Sequence, residues 1–204
     1  MIIPEDGLVF TKKFPQGIFA TYNKKPDIEF VHANQTHSRI VGEASDWDST
    51  KEADGLVISN PSFTTPLCIK TADCIPLLCI GKQGVAMLHA GWKGIQLNIH
   101  DHEFVKNLEP FSFFLGPYAS VEKYEVQKDF QDHFPTSQAF KTKGEKIFFN
   151  LGQELTHRLK QAYPESKIQE SSMCTITSNE LHSFRENQTK MRNWNLFFPL
   201  LMTK

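Results

Sequence analysis

Two short stretches carry the residues best suited to chemistry. Asp73-Cys74 closes the apolar run LCIKTADC, and His89-Ala90-Gly91-Trp92 closes VAMLHAGW. A thiol and an imidazole are the side chains that most readily act as nucleophile, base or metal ligand near neutral pH. At the end of a strand such a group is held rigidly while the adjoining loop exposes it. That position separates Cys74 from Cys68 and Cys79, which fall inside the apolar runs LCI and LLCI and are expected in the core. His89 alone reads as either a hydrogen-bonded core histidine or a ligand. Gly91 and Gly94 flank Trp92 and Lys93 ahead of an expected helix. They form either an anion seat of free backbone N–H groups or a glycine turn joining strand to helix.

These residues need a sheet to hold them. Segments near 28–34, 38–42, 54–58, 66–70, 75–80 and 84–89 are apolar, β-branched or aromatic, and bounded by Gly, Pro, Asn and Asp, which predicts strands. Residues 111–116, 166–174 and 193–200 supply later strands. Helical spacing runs over 94–108 and 121–134. Asn150 precedes Leu151, Leu155, Leu159 and Ala162, with Gln153 completing a capping-box pattern, so a helix starts there. Helices and strands interspersed in this way predict an α/β or α+β protein with a mixed β-sheet core flanked by helices. With 204 residues and no repeat or linker-like run, a single domain over 1–204 is expected.

Composition narrows the partners. A net charge of -1 leaves no basic footprint for nucleic acid or an anionic membrane. The amino-terminal MIIPEDGLVFTKKF has acidic residues where a secretory signal carries positive charge, and runs such as IPLLCI are too short to cross a bilayer. A soluble cytoplasmic protein is expected. The four cysteines, at 68, 74, 79 and 174, lack CxxC spacing and are expected to be reduced.

QTH at 35–37, EADGLVIS at 52–59, TADCIPLL at 71–78, HAGWKG at 89–94, LGP at 115–117, YEV at 124–126 and CT at 174–175 occur in that order. Together they resemble the family once called multicopper polyphenol oxidases, or laccase-domain proteins, now associated with purine nucleoside phosphorolysis and bacterial peptidoglycan editing. The resemblance runs from about residue 30 nearly to the end of the chain. It implies a compact cysteine-hydrolase-like fold and zinc held by His37, Cys74 and His89. A thiolate with two imidazoles is a normal zinc set, and three protein ligands leave a fourth position open. Cys74, His89 and Asp73 are the implied catalytic residues, although Asp73 equally suits a turn cap, and Gln35 stands beside them as an orienting group.

The resemblance further implies phosphorolysis of adenosine, inosine, guanosine and methylthioadenosine, together with deamination of adenosine. In deamination zinc would activate water for attack at the purine C6 carbon. In phosphorolysis an anion site must hold phosphate against the ribose C1 carbon, and Gly91, Lys93 and Arg185 are its candidates. Arg185 lies in HSFRENQTKMR, which resembles the family's FSxRR…TGR segment. The chain departs from the family in having Tyr118 where GPC carries Cys, in reading Thr189-Lys190-Met191-Arg192 for TGR, and in lacking the TxRxGGxS region before QTH. Copper is the lesser metal, because a multicopper oxidase needs about ten histidines, and this chain has eight. Its HxH pair, His100 and His102, is expected on a helix surface. Two rival readings are a metal-free cysteine hydrolase editing peptidoglycan precursors, with Cys74 as nucleophile and His89 as base, and a pure binding protein.

Overall fold

The apolar runs at 55–58, 75–81, 84–90 and 110–115 build one sheet that is buried on both faces. The computed structural model describes residues 3–201; Met1 and Ile2 of the amino-terminal segment and residues 202–204 lie outside the described residues. In chain order the strands are β1 (Leu8–Phe14), β2 (Gly17–Tyr22), β3 (Val31–His32), β4 (Val41–Glu43), β5 (Gly55–Ile58), β6 (Leu67–Thr71) and β7 (Ile75–Gly81). They continue with β8 (Gly84–Ala90), β9 (Pro110–Leu115), β10 (Glu125–Val126), β11 (Phe140–Lys143), β12 (Lys146–Phe149), β13 (Lys167–Glu170) and β14 (Asn193–Pro199). The α-helices are α1 (Trp92–Gln96), α2 (Glu103–Lys106), α3 (Leu151–Ala162) and α4 (Phe184–Asn187).

A six-stranded mixed sheet, β13-β9-β7-β8-β5-β4, forms the middle layer. Period-two alternation sends Leu77 and Cys79 of β7 to one face, where they join Leu151, Leu155 and Leu159 of α3. Leu78 and Ile80 point the other way, against Phe19, Leu67, Ile69 and Phe197 of a second sheet, β1-β2-β14-β6-β3. Burial of successive residues on opposite faces explains why these strands read as unbroken apolar runs. A third small sheet, β10-β12-β11, packs its aromatic residues beside α3. The result is an α+β protein forming one compact domain, in which a second sheet rather than helices covers one face of the core. Among the described residues no helix is long and apolar enough to cross a membrane.

Several elements differ from the sequence expectation. The capping Asn150 does accept from the Gln153 amide at 3.0 Å, but the Gln153 side chain turns to the Gln138 carbonyl and not back to the cap. The helix expected over 94–108 breaks at Asn98, which sits in the left-handed region at φ 57°. Arg158 of α3 stabilises the break by donating to the Asn98 side chain at 2.7 Å and to the Ile95 carbonyl at 3.3 Å. Residues 121–134 give β10 and a 3-10 turn over Lys128–His133, because Phe130 and Phe134 stack on Phe149 of β12. The expected strand at 28–34 contracts to β3, that at 38–42 moves to β4, and that at 166–174 shortens to β13. His100 is no surface residue: it is only 2% exposed, in a 3-10 turn beneath Tyr163, whose hydroxyl donates to its carbonyl.

Candidate functional site

Three donors from separate segments converge where the two large sheets meet. Cys74 occupies the turn between β6 and β7, directly after Asp73, whose backbone is left-handed at φ 89°. His89 lies in β8 opposite Pro76 of β7, and His37 lies in the loop following β3. The Cys74 sulfur is 4.0 Å from His37 Nε2, the two imidazole centroids are 4.6 Å apart, and the three ligand atoms lie within 4.8 Å of one another. Exposure falls from His37, which faces solvent, through Cys74 to the buried His89. Tetrahedral zinc with bonds of about 2.0–2.3 Å spaces its ligands about 3.5 Å apart, so the donors need to close by only about 1 Å. The donor set therefore fits a metal ion of borderline softness.

Asp54, at the start of β5 and fully buried, organises this cluster. Its carboxylate accepts from His89 Nδ1 at 2.7 Å, leaving Nε2 as that ring's ligand atom. It also accepts from the backbone of Thr36, His37 and Ser38 and from the Ser38 hydroxyl. Burial pushes Asp54 up, but His89 and Ser38 more than reverse that and lower it to about 2. Burial likewise pushes the Cys74 thiol up, yet the charge of His89 and the hydrogen bond from His37 lower it to about 6. His89 is pushed down by burial, then raised to about 9 by Cys74 and Asp54. These opposite shifts favour a Cys74 thiolate beside a protonated His89, and a metal ion held here would take the place of the proton between them.

The donors open onto a cavity of about 530 Å³ that is also lined by Lys70, Trp92, Tyr124, Phe184, Arg185 and Arg192. The Arg185 guanidinium lies 3.6 Å over the Tyr124 ring and donates from Nη1 to the Glu125 carbonyl at 2.6 Å. Arg192 donates to the carbonyls of Thr189 and Met191. Among the described residues none of these three cations sits in an ion pair. The carboxylate of Asp73, the residue before the cysteine, is already occupied: it accepts from the Thr175 hydroxyl at 2.7 Å and from the Arg185 backbone N–H at 2.8 Å.

A family model described as multi-copper polyphenol oxidoreductase laccase matches residues 17–196. The chain belongs to this family. It is 31% identical over 166 residues to a purine nucleoside phosphorylase of Aquifex aeolicus, covering 78% of this chain and 77% of that one. It is 30% identical over 176 residues to the purine nucleoside phosphorylase YfiH of Escherichia coli, covering 81% and 70% of the two chains. The crystal structure of a Neisseria meningitidis protein of family DUF152 superposes with a TM-score of 0.80 at 19% identity, covering 95% of this chain and 99% of that one. At that identity the superposition shows the fold alone.

Within this laccase-family chain, the residues singled out from sequence divide into two groups. Gln35, His37, Asp73, Cys74, His89 and Arg185 all line the cavity. Gln35 spends both ends of its amide on the Lys70 backbone, at 2.8 Å each, so it clips the loop before His37 to β6. Asp73 braces Thr175 and α4 and touches neither imidazole through its carboxylate. Gly91 and Lys93 are not among the lining residues. A Cβ at Gly91 would stand 2.9 Å from the Cys74 sulfur, so this glycine makes room for the thiol. Lys93 is exposed with its ammonium 5.5 Å over Trp92, and α1 is only five residues long, with few aligned peptide dipoles to attract an anion. Sequence reasoning missed Asp54, Lys70, Tyr124 and Arg192. Asp54 was visible as the acid of EADGLVIS, whereas Arg192 was masked by the altered TGR segment.

Proposed function

We propose that this enzyme is a purine nucleoside phosphorylase whose metal is zinc, held by His37, Cys74 and His89. One observation carries the reading. Three metal-capable donors, three cations that among the described residues sit in no ion pair, and three aromatic side chains share a single cavity of about 530 Å³. A purine needs a planar face to stack on, and phosphate needs donors with no competing carboxylate. Trp92 and Phe184 supply the faces; Arg185, Arg192 and Lys70 supply the charge. The Tyr124 ring and the Glu125 carbonyl hold the Arg185 guanidinium in place, so less side-chain entropy is lost when it takes a phosphate. In the reaction a phosphate oxygen bonds to the ribose C1 carbon while the bond from C1 to the base breaks. The purine leaves with the electron pair and gains a proton, and ribose 1-phosphate remains. The names carried by the Aquifex aeolicus and Escherichia coli relatives support this assignment. Adenosine, inosine, guanosine and methylthioadenosine are the expected substrates, with adenosine deamination in the same pocket.

Zinc is favoured over a multicopper centre because a thiolate with two imidazoles is a normal zinc set, while several coppers need more than one such site and among the described residues this is the one group of three or more metal-capable side chains. A zinc ion held there by His37, Cys74 and His89 would supply Lewis acidity and could activate water. Incubation with the four nucleosides, with and without phosphate, tests the proposal. Phosphate-dependent release of free base with ribose 1-phosphate is expected. Equal base release without phosphate, giving free ribose, overturns it.

A second reading draws on Cys74, His89 and Asp54, which stand in the order nucleophile, base and orienting acid of a metal-free cysteine hydrolase. Against it stands His37, which the loop holds beside Cys74 and for which such a triad has no use. Chelation separates the two. Metal chemistry predicts activity that falls with metal content and returns with zinc, while iodoacetamide alkylates Cys74 faster after chelation. Full activity in metal-free protein selects the hydrolase.

A further inference from the structure

We infer that Asp54 is the positioning residue that assembles the metal-capable cluster, setting two of its three donors through one carboxylate. The inference deepens the metal-binding part of the function proposed above. Register comes first: β5 pairs antiparallel with β8, Gly55 opposite Leu88, so Asp54 falls beside His89 and its carbonyl accepts the His89 backbone N–H at 2.7 Å. From there the side chain reaches in two directions. Oδ1 accepts from His89 Nδ1 at 2.7 Å and from the His37 backbone at 3.0 Å. Oδ2 accepts from the Ser38 backbone at 2.6 Å, the Ser38 hydroxyl at 2.8 Å and the Thr36 backbone at 3.2 Å.

Each contact does a distinct job. An imidazole without a partner on Nδ1 presents either nitrogen and turns about its χ2 axis; the bond to Asp54 fixes the tautomer and aims Nε2 at the cluster. His37 is left-handed, at φ 59°, a conformation that side-chain-bearing residues adopt at a cost. Three successive N–H groups closing on one carboxylate hold that turn and so place the His37 ring beside Cys74. A carboxylate with no solvent exposure is itself costly unless its lone pairs are filled, and here five donors fill them. Cys74 needs no such help, because the turn between β6 and β7 carries it.

The test uses the full chain as wild type, Asp54→Asn, Asp54→Ala and Cys79→Ala, with three readouts. Zinc affinity is measured by competition with a chromophoric chelator. The His89 imidazole N–H is followed by 15N-edited NMR in metal-free protein, and urea unfolding in chelator reports the fold. Asp54→Asn, nearly isosteric, is expected to weaken zinc binding about 10- to 100-fold, while Cys79→Ala loses stability and keeps its affinity. The wild type is expected to show a slowly exchanging downfield imidazole proton that Asp54→Ala lacks. Wild-type zinc affinity in both Asp54 variants overturns the inference, as does a His89 proton that is absent in wild type or unchanged in Asp54→Ala. If the wild type binds no metal, the zinc mechanism fails by itself, and the NMR comparison still decides whether Asp54 positions His89.

Discussion

Gly91→Ala tests the cluster by adding a single methyl group. Gly91 has φ -73°, so alanine meets no backbone strain there and the whole effect comes from space. The new Cβ would lie 2.9 Å from the Cys74 sulfur and 3.2 Å from His37 Cδ2. Ordinary contact between such atoms begins at about 3.5–4.0 Å, so the thiol must retreat by about 0.6–1 Å. Ligand distances in a metal site tolerate only about 0.2 Å, several times less than that retreat. Zinc affinity should therefore fall at least tenfold, about 1.4 kcal/mol, with nucleoside turnover falling in step. In chelator the crowding should cost about 1–3 kcal/mol of unfolding free energy. Gly152→Ala, whose Cβ would overlap the Tyr118 hydroxyl, is the control: it crowds another part of the protein and should leave zinc affinity alone. Unchanged affinity and activity in Gly91→Ala would refute the packing argument and, with it, the convergence of Cys74 and His37.

Cys74→Ala should strip the metal, whereas Cys79→Ala, fully buried between β7 and α3, should cost about 1–2 kcal/mol in urea unfolding and keep full metal occupancy by elemental analysis. Arg185→Lys should raise the KM for phosphate about tenfold with little change in the KM for nucleoside, because an ammonium loses the planar fork that Tyr124 supports; parallel rises in both constants would remove Arg185 from the anion site. His100 makes stability depend on pH: burial lowers it to about 4 from its ordinary 6.5, with Arg158 and Lys106 adding to the effect and Asp101 opposing it. The unfolded chain takes the proton first, so stability is fully present above the unfolded value and is lost as pH falls from there towards 4, by about 3 kcal/mol in all. His100→Leu should flatten that slope in urea titrations, and an unchanged slope would contradict it.

The central strands were readable because both faces of their sheet are buried, so residues 54–58, 75–80 and 84–89 show unbroken apolar runs at nearly their true boundaries. Asn150 was readable because a cap acts within its own turn. The break at Asn98 was not, since the residue that stabilises it, Arg158, lies 60 positions away. The β1–β2 hairpin was missed although its signal was present: Phe14-Pro15-Gln16-Gly17 separates two aromatic-rich runs, and Gly17 has φ 158°. In the site, strand-end position singled out Cys74 and His89 and motif resemblance added His37, but the brace that the two histidines share was invisible. Asp54 matters only because β5 and β8 register it against His89 while a loop from the other sheet folds onto it. Gly91 read as an anion seat for the same reason, because its role is to leave room for a sulfur seventeen positions earlier.

The cluster spans the junction of the two large sheets, and that location gives it a place in the order of folding. The chain crosses from the second sheet to the central one between β6 and β7, at Cys74; His89 belongs to the central sheet, and His37 hangs from β3 of the other. The β7–β8 hairpin by itself brings together two of the donors, Cys74 and His89, 15 residues apart. The third donor, His37, follows β3, whose pairing with β6 sets Val31 opposite Leu67, 36 positions further on, so a loop of that length must close before the three donors meet. An ion held by all three donors would therefore bind only after the two sheets have joined. It would then act as a rivet between them and oppose any unfolding route that begins by peeling one sheet from the other.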